Sequence, residues 1–226
     1  MNADQRTSAS YNEFPSLSDI AYERIKEEIL KSRLKPGATY KEVLIAQEIG
    51  MSKTPVHEAL NRLEHRGFIE MLPRRGFRVT DLNIKSVRHL FEFRRPLEHT
   101  VVYKVVPPIT AEQLAHLDLL IRDLEKSKEA LEYQRADRAI HRYLSALTGN
   151  QYIIRSLDMI WELCNWVGMR ILEADQGLHV YKHHHEVMHK WITQRNPERT
   201  WEALVEHLNH TENKFIESFE KEGTPG

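Results

Sequence analysis

The chain has 226 residues, 41% apolar and 29% charged, with a formal net charge of −1. That size and balance suit two domains with cores of their own and exclude a disordered chain. No apolar run approaches the roughly 20 residues of a membrane span, the N-terminus lacks an apolar signal core, and the single cysteine, Cys164, excludes an internal disulfide, so the expected compartment is the cytoplasm.

Residues 1–15 are polar, carry no period and read as a flexible arm. From Leu17 onward Ile20, Ile25, Ile29 and Leu30 recur at helical spacing, which predicts an amphipathic helix ending near Lys31–Ser32. Pro36-Gly37 breaks the chain. Thr39 and Glu42 fit a capping box for a short helix, Lys41 to Glu48, with Gly50 just past its end. In MSKTPVHEALNRLEHRG, Thr54 can cap a further helix and Pro55 suits its first turn. Val56, Ala59, Leu60 and Leu63 form its apolar stripe, and Gly67 closes it. Phe68 to Leu72 and Phe77 to Thr80 read as two strands joined by the turn Pro73-Arg74-Arg75-Gly76. Three helices plus a β-hairpin make a winged helix-turn-helix domain over residues 16–81.

Beyond Asp81 only helical patterns remain, over roughly 83–106, 110–128, 132–148, 150–173, 177–195 and 197–221. The fold class is therefore mainly α, with a six-helix bundle over residues 83–221. Pro96 falls inside the first of these helices and is expected to kink or break it.

A helix that enters the major groove needs small hydrogen-bonding residues and a cation at its N-terminal end. Ser52, Lys53, Thr54 and His57 stand there, and Arg62 lies farther along, within reach of phosphate. Arg74 and Arg75, beside Gly76 at the hairpin tip, are placed to enter a minor groove or grip phosphate. The run LKPGATYKEVLIAQEIGMSKTPVHEALNRLEHRGFIEMLPRRGFRV resembles the N-terminal domain of GntR-family transcription regulators. The resemblance implies that Ser52, Lys53, Thr54, His57 and the Arg75–Gly76 wing face duplex operator DNA. Lys53 and His57 occupy positions where that family usually has arginine, so a point charge and a titratable ring replace two forks.

The second pattern is histidine. Thirteen are present, most after residue 140. Asp137-Arg-Ala-Ile-His141 puts a carboxylate and an imidazole on one helix face. His185 and His207 lie on later helices, and three imidazoles with one carboxylate suit zinc, nickel, iron(II) or manganese. A surface chelate through His185 and His189 is the competing arrangement. Residues 83–221 resemble the FCD domain, the helical ligand domain of regulators related to FadR. The likeness extends to its metal-binding branch and to the smaller, six-helix VanR-like form. It implies Asp137, His141, His185 and His207 as ligands of a divalent metal ion, and a small carboxylate as effector. It also implies a homodimer and no role at a membrane. Arg94, in Arg94-x-x-Leu97-Glu98, is the candidate partner of the effector carboxylate, and Arg170 is a second. Tyr143 and Trp166 are aromatic and suit either the pocket wall or, as the commoner case, the core. The chain thus reads as a transcription regulator, with repression the expected sign, rather than an enzyme. The alternatives are a regulator that senses the metal itself and a metallohydrolase with Glu186 as base.

Overall fold

Ser16 begins the first helix. It accepts a hydrogen bond from the Asp19 amide at 3.1 Å while its own amide donates to the Asp19 carboxylate at 3.1 Å, a reciprocal cap that fixes where α1 (Leu17–Leu30) starts. The computed structural model describes residues 15–172 and 178–221, so the expected arm lies outside the described residues except for Pro15. Tyr22, Ile25 and Ile29 form the buried stripe of α1. α2 (Glu42–Glu48) and α3 (Lys53–His65) follow, separated by Gly50 at φ +68°. α3 buries Val56, Ala59, Leu60 and Leu63, the stripe read from the sequence. Ser52, rather than Thr54, occupies its N-cap position, and Pro55 is the third helical residue.

Three strands complete this unit: β1 (Thr39–Tyr40), β2 (Ile69–Leu72) and β3 (Gly76–Val79), antiparallel in the order β1-β3-β2. The expected hairpin is present. The expected Thr39 cap is not, because Thr39 and Tyr40 pair with Arg78 and Phe77 as a strand. Lys41 takes the N-cap position of α2 without a side-chain hydrogen bond. Pairing to the sheet extends the Thr39 backbone and so removes it from the helix start.

Gly76 is where this sheet tolerates no side chain. Its φ is +103°, and a Cβ built there would lie 2.0 Å from the Tyr40 carbonyl oxygen. The Gly76→Ala variant is expected to lose about 2 kcal/mol or more of local stability. The check is hydrogen exchange: amides of β1 and β3 should lose protection while those of the helical unit keep theirs.

The chain divides into two compact units between Asp81 and Leu82. Among the described residues, every regular element of the second is helical: α4 (Ile84–Val105), α5 (Ala111–Lys126), α6 (Ala130–Leu147), α7 (Gln151–Leu172), α8 (Leu178–Thr193) and α9 (Pro197–Lys221). Asn83 with Ser86 caps α4 and Thr110 with Gln113 caps α5. α4 runs unbroken through Pro96, contrary to the expected break. Its buried face on both sides of the proline, from Val87 and Phe91 to Val101, Val102 and Val105, packs in the core and holds the helix together. The core also takes Leu117, Ile121, Ile140, Leu144, Leu157, Ile160, Met188, Leu204, Leu208 and Phe215. No described helix is long and apolar enough to cross a membrane.

Candidate functional site

The apolar core of the second unit is interrupted by a buried polar cluster. α4 supplies Arg94 and Glu98, one turn apart, α6 supplies Asp137 and His141 at the same spacing, α8 supplies His185 and α9 supplies His207. Arg94, Glu98, His141, His185 and His207 are each 3% exposed or less. One ligand atom from each of Asp137, His141, His185 and His207 lies within 4.8 Å of the others. The Nε2 atoms of His141, His185 and His207 stand 3.8, 3.0 and 3.8 Å from the same Asp137 oxygen.

The outer hydrogen bonds fix which ring nitrogens face inward. His185 Nδ1 lies 2.9 Å from the Tyr181 carbonyl, a group that only accepts, so this nitrogen carries the proton. His141 Nδ1 lies 3.3 Å from Glu98 Oε1. That carboxylate would be raised by burial, but His141 and Arg94 outweigh burial and hold it down to about 2, so it too only accepts. A neutral imidazole protonated at Nδ1 presents a bare lone pair at Nε2. Both rings therefore face Asp137 with Nε2, the nitrogen that in a neutral ring offers its lone pair to a metal. Burial opposes ionisation of Asp137, yet the imidazoles of His185, His141 and His207 around it hold it well below the usual carboxylate range. Burial, reinforced by His185, pushes His207 well below the ordinary imidazole value, towards the neutral form a metal requires. His141 Nε2, His185 Nε2 and His207 Nδ1 are buried without hydrogen-bond partners. Two bare acceptors 3.0 Å apart repel, so either a proton or a metal ion lies between His185 Nε2 and the Asp137 oxygen. The donor set and its orphaned atoms fit a divalent metal ion.

Beside the cluster lies a cavity of about 70 Å³, walled in part by Arg94, Gln134, Asp137, Arg138, Cys164 and His207. Arg94 Nε donates to Glu98 Oε1 at 3.0 Å, while its Nη2 is buried without a partner. Trp161 Nε1 donates to the same Glu98 oxygen at 3.3 Å. Burial raises the Cys164 thiol to about 11, so it lines the cavity as an uncharged group.

Several sequence expectations need correcting here. The His185–His189 chelate does not form, because His185 is buried while His189 Nε2 pairs with Asp118 at 2.6 Å. Tyr143 donates to the Gln113 carbonyl, Trp166 is buried, and neither lines the cavity. The side chain of Arg170 lies outside the described residues. Glu186 is exposed beside His183. Gln134 escapes a reading of the sequence because it is polar on an amphipathic helix, a pattern that reads as a solvent face, and Glu98 is marked in the sequence only as part of the Arg94 motif, without a role.

In the first unit Ser52, Lys53, Thr54 and His57 are exposed along the start of α3. Lys53 and His57 share a concave surface with Arg74, Arg75 and Gly76 of the wing and with Lys41, a cation that the sequence presents only as a helix start. Arg74 holds φ +63° at the tip. Arg62, half exposed, donates to Asp19 at 2.7 Å and stacks over Tyr22 at 4.4 Å, linking α3 to α1, as His57 lies 3.3 Å from Glu42.

Comparison with known proteins matches residues 17–79 to the family described as bacterial regulatory proteins, gntR family, and residues 89–210 to the FCD domain. The chain is a GntR-family transcriptional regulator with an FCD domain. This GntR regulator is 25% identical over 193 residues to YdhC, an HTH-type transcriptional regulator of Bacillus subtilis, covering 84% of the present chain and 86% of YdhC. The fold of Escherichia coli McbR/YncC superposes with a TM-score of 0.75 at 21% identity, covering 91% of the GntR regulator described here and all of that chain. The metal-free FCD domain of TM0439 covers 62% of the chain, and 98% of its own length, with a TM-score of 0.50 at 22% identity. Its relatives are transcriptional regulators, not enzymes, which removes the hydrolase alternative.

Proposed function

We propose that this regulator binds a duplex operator through the start of α3 and the wing, and that its operator affinity is set by a small carboxylate held beside a metal ion in the FCD domain. The observation that carries the metal reading is the convergence of three imidazole nitrogens and a carboxylate on one buried point, with the His185 and His141 rings each oriented by an outer acceptor. Asp137, His141, His185 and His207 would hold the ion. Bound there, a divalent metal supplies Lewis acidity and open positions for an anionic ligand. Arg94 supports the carboxylate reading, since its guanidinium reaches the cavity with Nη2 free of any protein acceptor. A carboxylate is the planar anion that matches such a fork.

Lys53, Thr54, His57, Arg74 and Arg75, joined by Lys41, form the proposed DNA face, while Arg62 serves the domain's own packing. Pairing of two chains would present two recognition helices to a palindromic operator. The Lys53→Ala and Arg75→Ala variants are each expected to weaken binding of a cognate DNA fragment about tenfold. The slope of log affinity against log salt should become shallower by about 0.9 for each phosphate that is no longer neutralised. Fluorescence anisotropy at several salt concentrations reads both quantities. An unchanged affinity and slope in the double variant would move the DNA face elsewhere. The same assay titrated with small acids tests the coupling: operator affinity must respond to at least one acid in the metal-loaded protein and lose that response in the Arg94→Ala variant.

A further inference from the structure

The cavity beside the cluster holds a second orphan. Gln134 sits on α6 one turn before Asp137 and Arg138, and its Oε1 is buried without a hydrogen-bond partner. The cavity therefore offers two complementary unmet groups: a cationic donor, Arg94 Nη2, and a neutral acceptor, Gln134 Oε1. Opposite Gln134, α7 carries Gly168 within its helical span. A mid-helix glycine is about 1 kcal/mol poorer than alanine, so a packing reason is expected. Here a Cβ would lie 2.9 Å from Gln134 Nε2, displacing the amide, and 3.7 Å from the Phe215 ring.

We infer that Gln134 is a specificity-determining residue that selects acids carrying a hydroxyl group over otherwise equal acids without one, and that Gly168 positions its amide. The inference rests on the carboxylate-binding reading above and adds to it the second group a ligand must carry. With its carboxylate on Arg94, a hydroxy acid donates its hydroxyl to Gln134 Oε1. An acid with a methyl group at that place displaces water from Gln134 and leaves the acceptor unmet. An ammonium group would also donate, but Arg94 and Arg138 line the cavity and a metal ion held by Asp137 would offset the one carboxylate there that attracts it. A cavity of about 70 Å³ admits roughly five water-sized groups, which sets the scale at two to four carbons.

Calorimetric titration of the full-length, metal-loaded protein with 2-hydroxypropionate, its isostere 2-methylpropionate, and alanine tests this. The wild type is expected to bind the hydroxy acid roughly tenfold tighter than the isostere, and alanine more weakly than the hydroxy acid. In Gln134→Leu the ratio falls close to one while the isostere keeps or gains affinity. In Gly168→Ala, where the glutamine is intact but pushed aside, the ratio also falls. A wild-type ratio near one overturns the selectivity while leaving the acid site standing. A ratio that persists in both folded variants overturns it as well, because the hydroxyl is then read by the metal. If the folded wild type binds neither acid, the carboxylate-binding reading fails, and this inference with it.

Discussion

Divalent metal is expected to raise the thermal midpoint of the metal-stripped protein by roughly 8 °C when free metal exceeds its dissociation constant about a hundredfold. The figure follows from mass action: such an excess stabilises the folded state by about 2.7 kcal/mol, and a chain of this size moves about 3 °C per kcal/mol. The reason for expecting it lies in the orphaned nitrogens. His141 and His185 face the ionised Asp137 with Nε2, and a metal ion there would coordinate buried nitrogens that have no hydrogen-bond partner. The double variant His185→Ala, His207→Ala should show no shift and hold no stoichiometric metal by elemental analysis. Single variants should bind more weakly rather than not at all, because two imidazoles and the carboxylate remain. A wild type that takes up no zinc, nickel, iron(II) or manganese, or a double variant that responds as the wild type does, would sink the metal centre.

Removing Glu98 is the second large effect. Its Oε1 accepts from Arg94 Nε at 3.0 Å and Trp161 Nε1 at 3.3 Å and lies 3.3 Å from His141 Nδ1. The Glu98→Ala variant leaves a guanidinium without its counter-charge in the core, since Arg94 is only 3% exposed. Breaking such a pair from one side destabilises by about 3–5 kcal/mol, more than the pair itself contributes. Urea unfolding followed by tryptophan fluorescence should show the FCD domain losing that amount. Glu98→Gln, which keeps an acceptor, should lose less. Metal affinity should drop about 10–100-fold in either variant, because His141 loses the carboxylate that orients its ring. A variant as stable as the wild type would mean that Arg94 finds another partner.

Much of this architecture is legible in the chain. Helix α1, the apolar stripe of α3 and the hairpin follow from period and turn chemistry. Asp137, His141, His185 and His207 stand out in the sequence and are brought together in the fold. What escapes has physical causes. β1 is two residues long, too short to show alternation, and exists only through pairing with β3. Pro96 removes one amide from α4, but burial on both sides of it outweighs that loss. Arg62 looks available to DNA in the sequence because no local rule reveals a bond to Asp19, 43 residues away. Gln134 stays hidden, and the role of Glu98 with it, because an inward-facing polar residue has the same spacing as an outward-facing one. Lys41 joins the DNA groove only once β1 has fixed the direction of the chain entering α2.

A single carboxylate oxygen, Glu98 Oε1, leans on both halves of the FCD site. Its hold on Arg94 is a hold on the ligand cavity, and its hold on His141 is a hold on the metal. An acid that draws the guanidinium toward itself thereby loosens or tightens the collar around the ion. Equilibrium thermodynamics makes such traffic two-way: the factor by which metal changes acid affinity equals the factor by which acid changes metal affinity. Where the acid tightens the collar, scarcity of metal is felt as a weaker grip on the acid; where it loosens the collar, the two compete.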